Sequence, residues 1–329
     1  MHKNVKCIFK RGSFKESEHF INSVVMDTNN KIIFKSGDIY QEYCMRSTLK
    51  PFQSAASLNL GTAQKYNFTN KEIAITCASH HGEMEHIETV KSILKKIDCK
   101  ESDLECGFHF PLDKNNKSQL HSNSVTKSNI YNNCSGKHAG LLGFIKHMGY
   151  NHKDYINHNH PIHAHINNYI QKKTSLESIN FAIDGCSLPT PYFTLSTLAS
   201  LYIQLLTAKK NSVLYKIYNA MTTYPQMISG STGFDTYMMK NLNCQVISKG
   251  GAEGMQAIAL DTQKYGPISI TLKVSDGNHR ANYISCIKIL KYINAISEDD
   301  EKLLLKFVDE YPTNLNGIKI GQLICKIFD

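Results

Sequence analysis

The sequence predicts an α+β fold, with an antiparallel sheet assembled from both chain ends and a helical lobe inserted between them. Three observations predict it. Strand patterns open the chain, three- and four-residue apolar spacing fills its middle, and strand patterns return after residue 244. No strand–helix–strand alternation, internal repeat or obvious linker interrupts this plan. One unit over residues 1–329 is therefore expected, with a sheet lobe over about 1–45 and 240–329 and a helical lobe over about 46–239.

The elements follow in order. Residues 5–9 and 23–27 are β-branched and aromatic runs, and the turn Thr28-Asn29-Asn30 joins the second to 31–34 as a hairpin. Helical spacing covers segments near 51–65, 85–97, 137–148, 162–173, 195–209 and 213–223. The apolar stretch Ile73-Ala74-Ile75 reads as a short strand leading into a turn, and the Asn-, Ser- and Lys-rich segment 112–133 reads as a surface loop. Strands are expected at 244–247, 255–260 and 268–274. A helix over about 280–296 follows, then a shorter one after the acidic cap Ser297-Glu298-Asp299-Asp300.

Composition narrows the function. Hydrophobic residues make up 41% and charged residues 20%, which suits a folded globule rather than a disordered chain. No apolar run reaches the ~18–20 residues of a membrane span. The N-terminal stretch lacks the apolar core of a secretory signal, so the ten cysteines are expected as reduced thiols in a cytoplasmic protein. The net charge of +9 comes from scattered basic pairs such as Lys95-Lys96 and Lys209-Lys210, not from a stripe, and there is no tryptophan. Nucleic acid is a poor partner for such a pattern, and an acidic small molecule suits the charge as well.

Four motifs can carry chemistry. In Arg46-Ser47-Thr48-Leu49-Lys50-Pro51, a serine and a lysine three apart at a helix start share one face, and Pro51 marks where the helix begins. A neutral lysine amine can take the serine proton. In Thr76-Cys77-Ala78-Ser79-His80-His81-Gly82-Glu83, Ser79 is a nucleophile or proton relay, or else simply the cap of the next helix. The segment Asn132-Asn133-Cys134-Ser135-Gly136-Lys137-His138 echoes Asp184-Gly185-Cys186-Ser187-Leu188-Pro189, each with a cysteine beside a serine and a glycine. Two thiolates and a nitrogen could make an open zinc site, although the spacing fits no familiar finger and two half-buried cysteines are the blander reading. In Ser248-Lys249-Gly250-Gly251-Ala252-Glu253-Gly254, placed between two strands, glycines let a backbone N–H approach a substrate oxygen, or form a β-bulge. The histidines at 158, 160, 163 and 165 lack a carboxylate or cysteine partner and read as structural. Cys7, Cys44, Cys99, Cys106, Cys244, Cys286 and Cys325 read as small core residues.

Taken in this order, the motifs around Ser47, Ser79, Cys134, Cys186 and Lys249 closely resemble the asparaginase II family, the rhizobial-type L-asparaginases. Lys273-Val274-Ser275-Asp276-Gly277 extends the likeness, which spans roughly residues 10–290. The resemblance implies the fold of serine β-lactamases and bacterial glutaminases. It also implies two serine–lysine pairs, Ser47 with Lys50 and Ser79 with Lys249, facing one cleft. Cys134, Lys137 and Cys186 match positions that hold Zn²⁺ in the family, and Asp235 falls where an acidic residue is common.

The implied reaction is hydrolysis of the L-asparagine side-chain amide to L-aspartate and ammonia. Ser47 is the favoured nucleophile, and two neighbouring lysines in a buried cleft would leave one amine neutral. The backbone N–H of Ser47 and one from Gly250-Gly251 are the expected oxyanion donors. Asp184 is a candidate for the substrate ammonium and Arg46 for its carboxylate. The expected partners are L-asparagine and a second copy of the chain in a homodimer, with no nucleic acid and no membrane. A β-lactamase or peptidase, or a non-catalytic zinc- or amino-acid-binding protein, are the rival readings.

Overall fold

The computed structural model describes residues 1–113, 117–118 and 127–329. The chain divides into two compact units, one of residues 1–48, 193–207 and 241–329 and one of residues 49–192 and 208–240.

The first unit is built on a seven-stranded sheet. Its order is β10 (Gln322–Phe328), β1 (Asn4–Arg11), β2 (Phe14–Asp27), β9 (Gly266–Val274), β8 (Met255–Thr262) and β7 (Val246–Gly251), with β3 (Ile32–Ser36) also on β2; the short strand β4 (Glu42–Cys44) is not part of it. Every pairing is antiparallel. Strands from both halves of the chain thus share one sheet, as the strand patterns predict, while the terminal strand β10 is an element they do not predict. The centre is β2, whose first half pairs with β1 and whose second half lies between β9 and β3. Sequence reading begins that strand only at Ser23, because Lys15, Glu16 and Glu18 break the apolar alternation. Asp27 stabilises the predicted turn by accepting from the N–H groups of Asn29 and Lys31.

The helix Leu195–Leu206 packs on this sheet and is capped by Thr194, which accepts from the N–H of Thr197. Its Leu198, Leu201 and Leu205 are fully buried, each contributing ~1.5–3 kcal/mol. Thr271 of β9 donates to the Leu195 carbonyl at 2.8 Å, tying the helix start to the sheet. The C-terminal helical segment is a short turn His279–Ala281 followed by Asn282–Tyr292, then Glu298–Leu305 behind the Ser297–Asp300 capping box.

The second unit is mainly helical. Among the described residues its helices include α1 (Lys50–Asn59), α2 (Thr62–Lys65), α3 (Asn70–Thr76), α4 (Met84–Lys96), α5 (Ser135–His147) and α6 (Pro161–Thr174). The single helix expected near 51–65 is broken at Gly61, whose φ of 89° reverses the chain between α1 and α2. The expected strand at Ile73-Ala74-Ile75 is instead α3. Its capping box, Thr69 with Glu72, closes the helix start and outweighs the β-branched pattern. Glu83 caps α4, so Ser79 does not serve as that cap. Of the loop expected at 112–133, residues 114–116 and 119–126 lie outside the described residues, and the remainder ends in a 3₁₀ turn, Asn129–Tyr131.

Helix α5 approaches α3 closely because glycines form its contact face. A Cβ at Gly136 would fall inside contact distance of the Ile75 carbonyl oxygen and 2.8 Å from Ile75 Cγ1, and one at Gly140 would lie 2.6 Å from Thr76 Cγ2. A short hairpin, β5 (Asn180–Ile183) with β6 (Pro189–Thr194), presents the Cys186 turn. Among the described residues, no helix is long and apolar enough to cross a membrane.

Candidate active site and metal centre

The sequence-predicted residues fall into both units. Arg46, Ser47, Lys249, Gly250 and Gly251 belong to the sheet unit, and Lys50, Ser79, Cys134, Lys137, Asp184 and Cys186 to the helical unit.

In the sheet unit, Ser47 is half-buried in the 3₁₀ turn Arg46–Leu49, and Arg46 before it has a φ of 47°. That left-handed conformation costs a non-glycine residue of order ~1–3 kcal/mol and marks a turn held in place by its surroundings. Two hydrogen bonds hold it: Thr48 Oγ1 donates to the Met45 carbonyl at 2.6 Å, and the buried Tyr202 hydroxyl donates to the Thr48 carbonyl at 2.7 Å. Gly251 faces the turn. A Cβ there would sit 3.2 Å from Thr48 Cγ2 and 3.5 Å from Arg46 Cβ, so glycine lets β7 lie close to the Ser47 backbone. Lys249 is on β7 itself, opposite Ala257, with 1% of its surface exposed and its amine donating to the Gly250 carbonyl. The glycines are therefore strand residues rather than a bulge, and the turn to β8 falls at Glu253 and Gly254.

The helical unit assembles a denser cluster. Lys50, also 1% exposed, has its amine 2.5 Å from the Ala78 carbonyl, 3.0 Å from Ser79 Oγ and 3.3 Å from Cys134 Sγ. The carbonyl can only accept. Three partners satisfy either an ammonium donating three times or a neutral amine that donates twice and accepts the Ser79 proton. The Ser79 backbone is fixed by its N–H, which donates to the Ile228 carbonyl at 2.9 Å. His80 then turns inward, fully buried, and burial pushes its pKa well below the ordinary histidine value. Ser135 Oγ donates to the Ile130 carbonyl, so His80 Nε2–H donates to Ser135 Oγ at 2.9 Å while its Nδ1 accepts from the Gly82 N–H. His80 is thus a structural staple between the two motifs.

Cys134 stands immediately before α5, and Lys137 lies within its first turn. Lys137 Nζ donates to Cys186 Sγ at 3.0 Å, and the Cys134 thiol donates to Asn133 Oδ1 at 3.2 Å. The neighbouring Cys134 and the Lys137 charge outweigh burial and hold the Cys186 thiol far below the ordinary range. Cys134 is correspondingly driven up by Cys186 and by burial. Burial disfavours the Lys137 ammonium, but the sulfurs of Cys186 and Cys134 and the Asp184 carboxylate outweigh it and raise its pKa. The cluster thus pairs the Cys186 thiolate with the Lys137 ammonium.

Asp184 is half-buried in the turn that presents Cys186. Its Oδ1 accepts from the Gly185 N–H, and Ser187 in this turn has a φ of 73°. Asp235 is buried in the first turn of the helix Phe234–Asn241.

Zinc takes thiolate sulfur and neutral nitrogen, so Cys134, Cys186 and Lys137 fit it once the Lys137 ammonium gives up its proton to make room for the ion. Among the described residues, no three His, Cys, Asp or Glu side chains gather to hold a metal, so this set requires Lys137. The histidine-rich segment supplies none. His160 caps α6, His163 Nε2 donates to the Tyr155 carbonyl at 2.8 Å, and His165 meets the Tyr150 hydroxyl at 3.0 Å. Among the remaining cysteines, Cys7, Cys106 and Cys286 are buried as expected, but Cys44, Cys99 and Cys325 are half-buried and Cys244 is exposed.

What sequence reasoning missed is the pairing of Lys50 with Ser79, twenty-nine residues apart, and with Cys134. The signal was Gly136 and Gly140, four apart on α5, which allow that helix to press its Cys134 end against the Ser79 turn.

No curated protein matches the chain. Solved structures similar to it include a β-lactamase from Sphaerobacter thermophilus, 12% identical over 84% of this chain and 92% of that one, with a TM-score of 0.46. A class A β-lactamase from Bacteroides cellulosilyticus is 14% identical over 88% and 91%, with a TM-score of 0.42. The sequence matches the L-asparaginase II family over residues 8–325, nearly its whole length, and the chain belongs to that family.

Proposed function

We propose that this protein is an amidohydrolase that converts L-asparagine to L-aspartate and ammonia, with Lys50 as its proton-exchanging group. The observation that carries the reading is the buried Lys50 amine 3.0 Å from Ser79 Oγ. Amide hydrolysis requires a base for the nucleophile and a proton for the departing ammonia, and a lysine amine bonded to a serine hydroxyl can pass a proton either way.

Ser47 is the nucleophile in this reading, and Ser79 carries the proton to and from Lys50. The roles of Ser47 and of Lys249 as a second cation rest on the family's motifs. The three-residue spacing from Ser47 to Lys50 is one turn of a helical run. Ser47 acquires the acyl group as ammonia leaves, and water then releases aspartate. Backbone N–H groups of Ser47 and of Gly250-Gly251 are the oxyanion donors, each worth ~3 kcal/mol of barrier. Asp184 takes the substrate ammonium and Arg46 the carboxylate. Cys134, Lys137 and Cys186 would hold zinc, which when bound would orient the amino-acid end of the substrate. The working form is a cytoplasmic homodimer.

Ammonia release from L-asparagine and L-glutamine, with a chromogenic β-lactam as a third substrate, tests the reading. Asparagine is hydrolysed fastest, Ser47→Ala abolishes turnover, and Ser79→Ala slows it at least ~100-fold. Hydrolysis of the β-lactam alone would favour the β-lactamase reading.

A further inference from the structure

We propose that Cys7 and Cys325 form a dithiol site that hydrogen peroxide closes into a reversible disulfide, fastening the two terminal strands of the sheet unit to each other. Neither residue belongs to the candidate active site or metal centre, so the site stands whether or not the asparaginase reading does.

The backbone register brings the two together. Strands β1 and β10 pair without a bulge from Asn4 opposite Phe328 to Lys10 opposite Gln322, which sets Cys7 directly opposite Cys325. Opposed residues of an antiparallel pair share one face of the sheet and have Cα atoms ~4.5–5.5 Å apart, inside the ~4.4–6.8 Å that a disulfide spans. Their Cβ atoms start ~4.5–5.5 Å apart and must close to ~3.5–4.5 Å. Among the described residues β10 ends the strand order and pairs with β1 alone, so it can make that adjustment.

Both side chains turn toward the helix Asn282–Tyr292. Ser285 Oγ of that helix lies 3.1 Å from Cys7 Sγ and 3.8 Å from Cys325 Sγ, so one hydroxyl touches both sulfurs. Its own proton goes to the Ala281 carbonyl at 2.6 Å, which leaves the oxygen to accept from the thiols. Packing alone requires neither a cysteine opposite another nor a hydroxyl shared by both. Cys7 is fully buried, whereas Cys325 is half-buried on the edge strand, so a small oxidant meets Cys325 first.

The chemistry balances with hydrogen peroxide as the oxidant. Cys325 takes one peroxide oxygen and becomes a sulfenic acid, and the other oxygen leaves as water. Cys7 then loses its proton and its sulfur attacks that of Cys325. The S–O bond breaks, the S–S bond forms, and the hydroxide departs with the Cys7 proton as a second water. Two thiols are oxidised and one peroxide is reduced, and a dithiol reductant reverses the step by exchange. The cross-link closes a loop of nearly the whole chain, and long loops restrict the unfolded state most. Strand β10 then cannot leave the sheet without β1.

The experiment treats the full chain with hydrogen peroxide, blocks the remaining thiols by alkylation and maps the peptides by mass spectrometry. Thermal unfolding is followed before and after, for wild type, Cys325→Ser and Cys7→Ala. Wild type yields a peptide joining Cys7 to Cys325, its thermal midpoint rises by at least ~5 °C, and dithiothreitol reverses both. Cys325→Ser, changed at a half-buried position, keeps the midpoint of the reduced protein and shows neither the cross-link nor the rise. In Cys7→Ala, Cys325 has no partner and is carried on to the sulfinic acid. Separately alkylated Cys7 and Cys325 in oxidised wild type, a cross-link that leaves the midpoint unchanged, or an equal rise in Cys325→Ser overturns the proposal.

Discussion

Gly136→Ala probes the contact that brings Cys134 and Lys137 to the Ser79 turn. An added methyl would meet the Ile75 carbonyl oxygen and lie 2.8 Å from Ile75 Cγ1. The oxygen belongs to the last turn of α3, so it cannot rotate away as a side-chain tip could. Helix α5 must move instead, and overpacking of this kind costs ~1–3 kcal/mol. Replacing glycine in a helix returns at most ~1 kcal/mol through propensity. The net loss of up to ~2 kcal/mol, at ~2–4 °C per kcal/mol for a unit of this size, lowers the thermal midpoint by up to ~8 °C. Function suffers more than stability. Cys134 and Lys137 move with the helix, and a displacement approaching ~1 Å at a reacting centre can cost ~100-fold in rate. Gly143→Ala is the comparison, because its nearest new contacts, 3.2 Å from Ile97 Cγ2 and 3.3 Å from Phe68 Cζ, are with side-chain atoms that need yield only a few tenths of an ångström. Thermal unfolding and ammonia release together decide the matter. Wild-type midpoint and turnover in Gly136→Ala would refute the close-packing argument.

Two further predictions concern the support of the site and the metal. Lys96, the Thr69 N–H and Ser92 outweigh the opposing effect of burial and hold the Glu72 carboxyl below the ordinary carboxylate range. Its contribution to stability is therefore complete above the unfolded value of ~4.3 and is lost as pH falls through the lower folded value. Glu72→Gln should lower the thermal midpoint at pH 7, with the gap to wild type closing as pH falls below the unfolded carboxylate value; a constant gap would contradict the assignment. Cys186→Ala should remove zinc and raise KM more than it lowers kcat, and is a cleaner probe than Cys134, which also touches Lys50. An unchanged KM would return Cys186 to a packing role.

The sheet was legible because β8 and β9 are nearly continuous apolar runs, and because the Asn29-Asn30 turn has the chemistry its hairpin needs. Two elements were hidden for physical reasons. The first half of β2 is charged because much of it is exposed, so its alternation carries little apolar signal. Helix α3 is short and β-branched, and only its Thr69–Glu72 cap distinguishes it from a strand. At the candidate site, residue types and order could be read from the motifs, but proximity could not. Nothing in the local sequence says that Lys50 meets Ala78, Ser79 and Cys134 at one point, since that depends on two glycines of α5 pressing against α3.

The most direct measurement is the stoichiometry and rate of aspartate and ammonia release from L-asparagine by wild type, Lys50→Arg and Lys50→Met. Arginine keeps the charge but cannot lose its proton, and methionine keeps the packing but has no amine. Wild type should release the two products one to one, and both folded variants should be slower by at least ~100-fold. A Lys50→Arg protein with near wild-type turnover, or a wild-type protein that releases no ammonia from asparagine, would contradict the account.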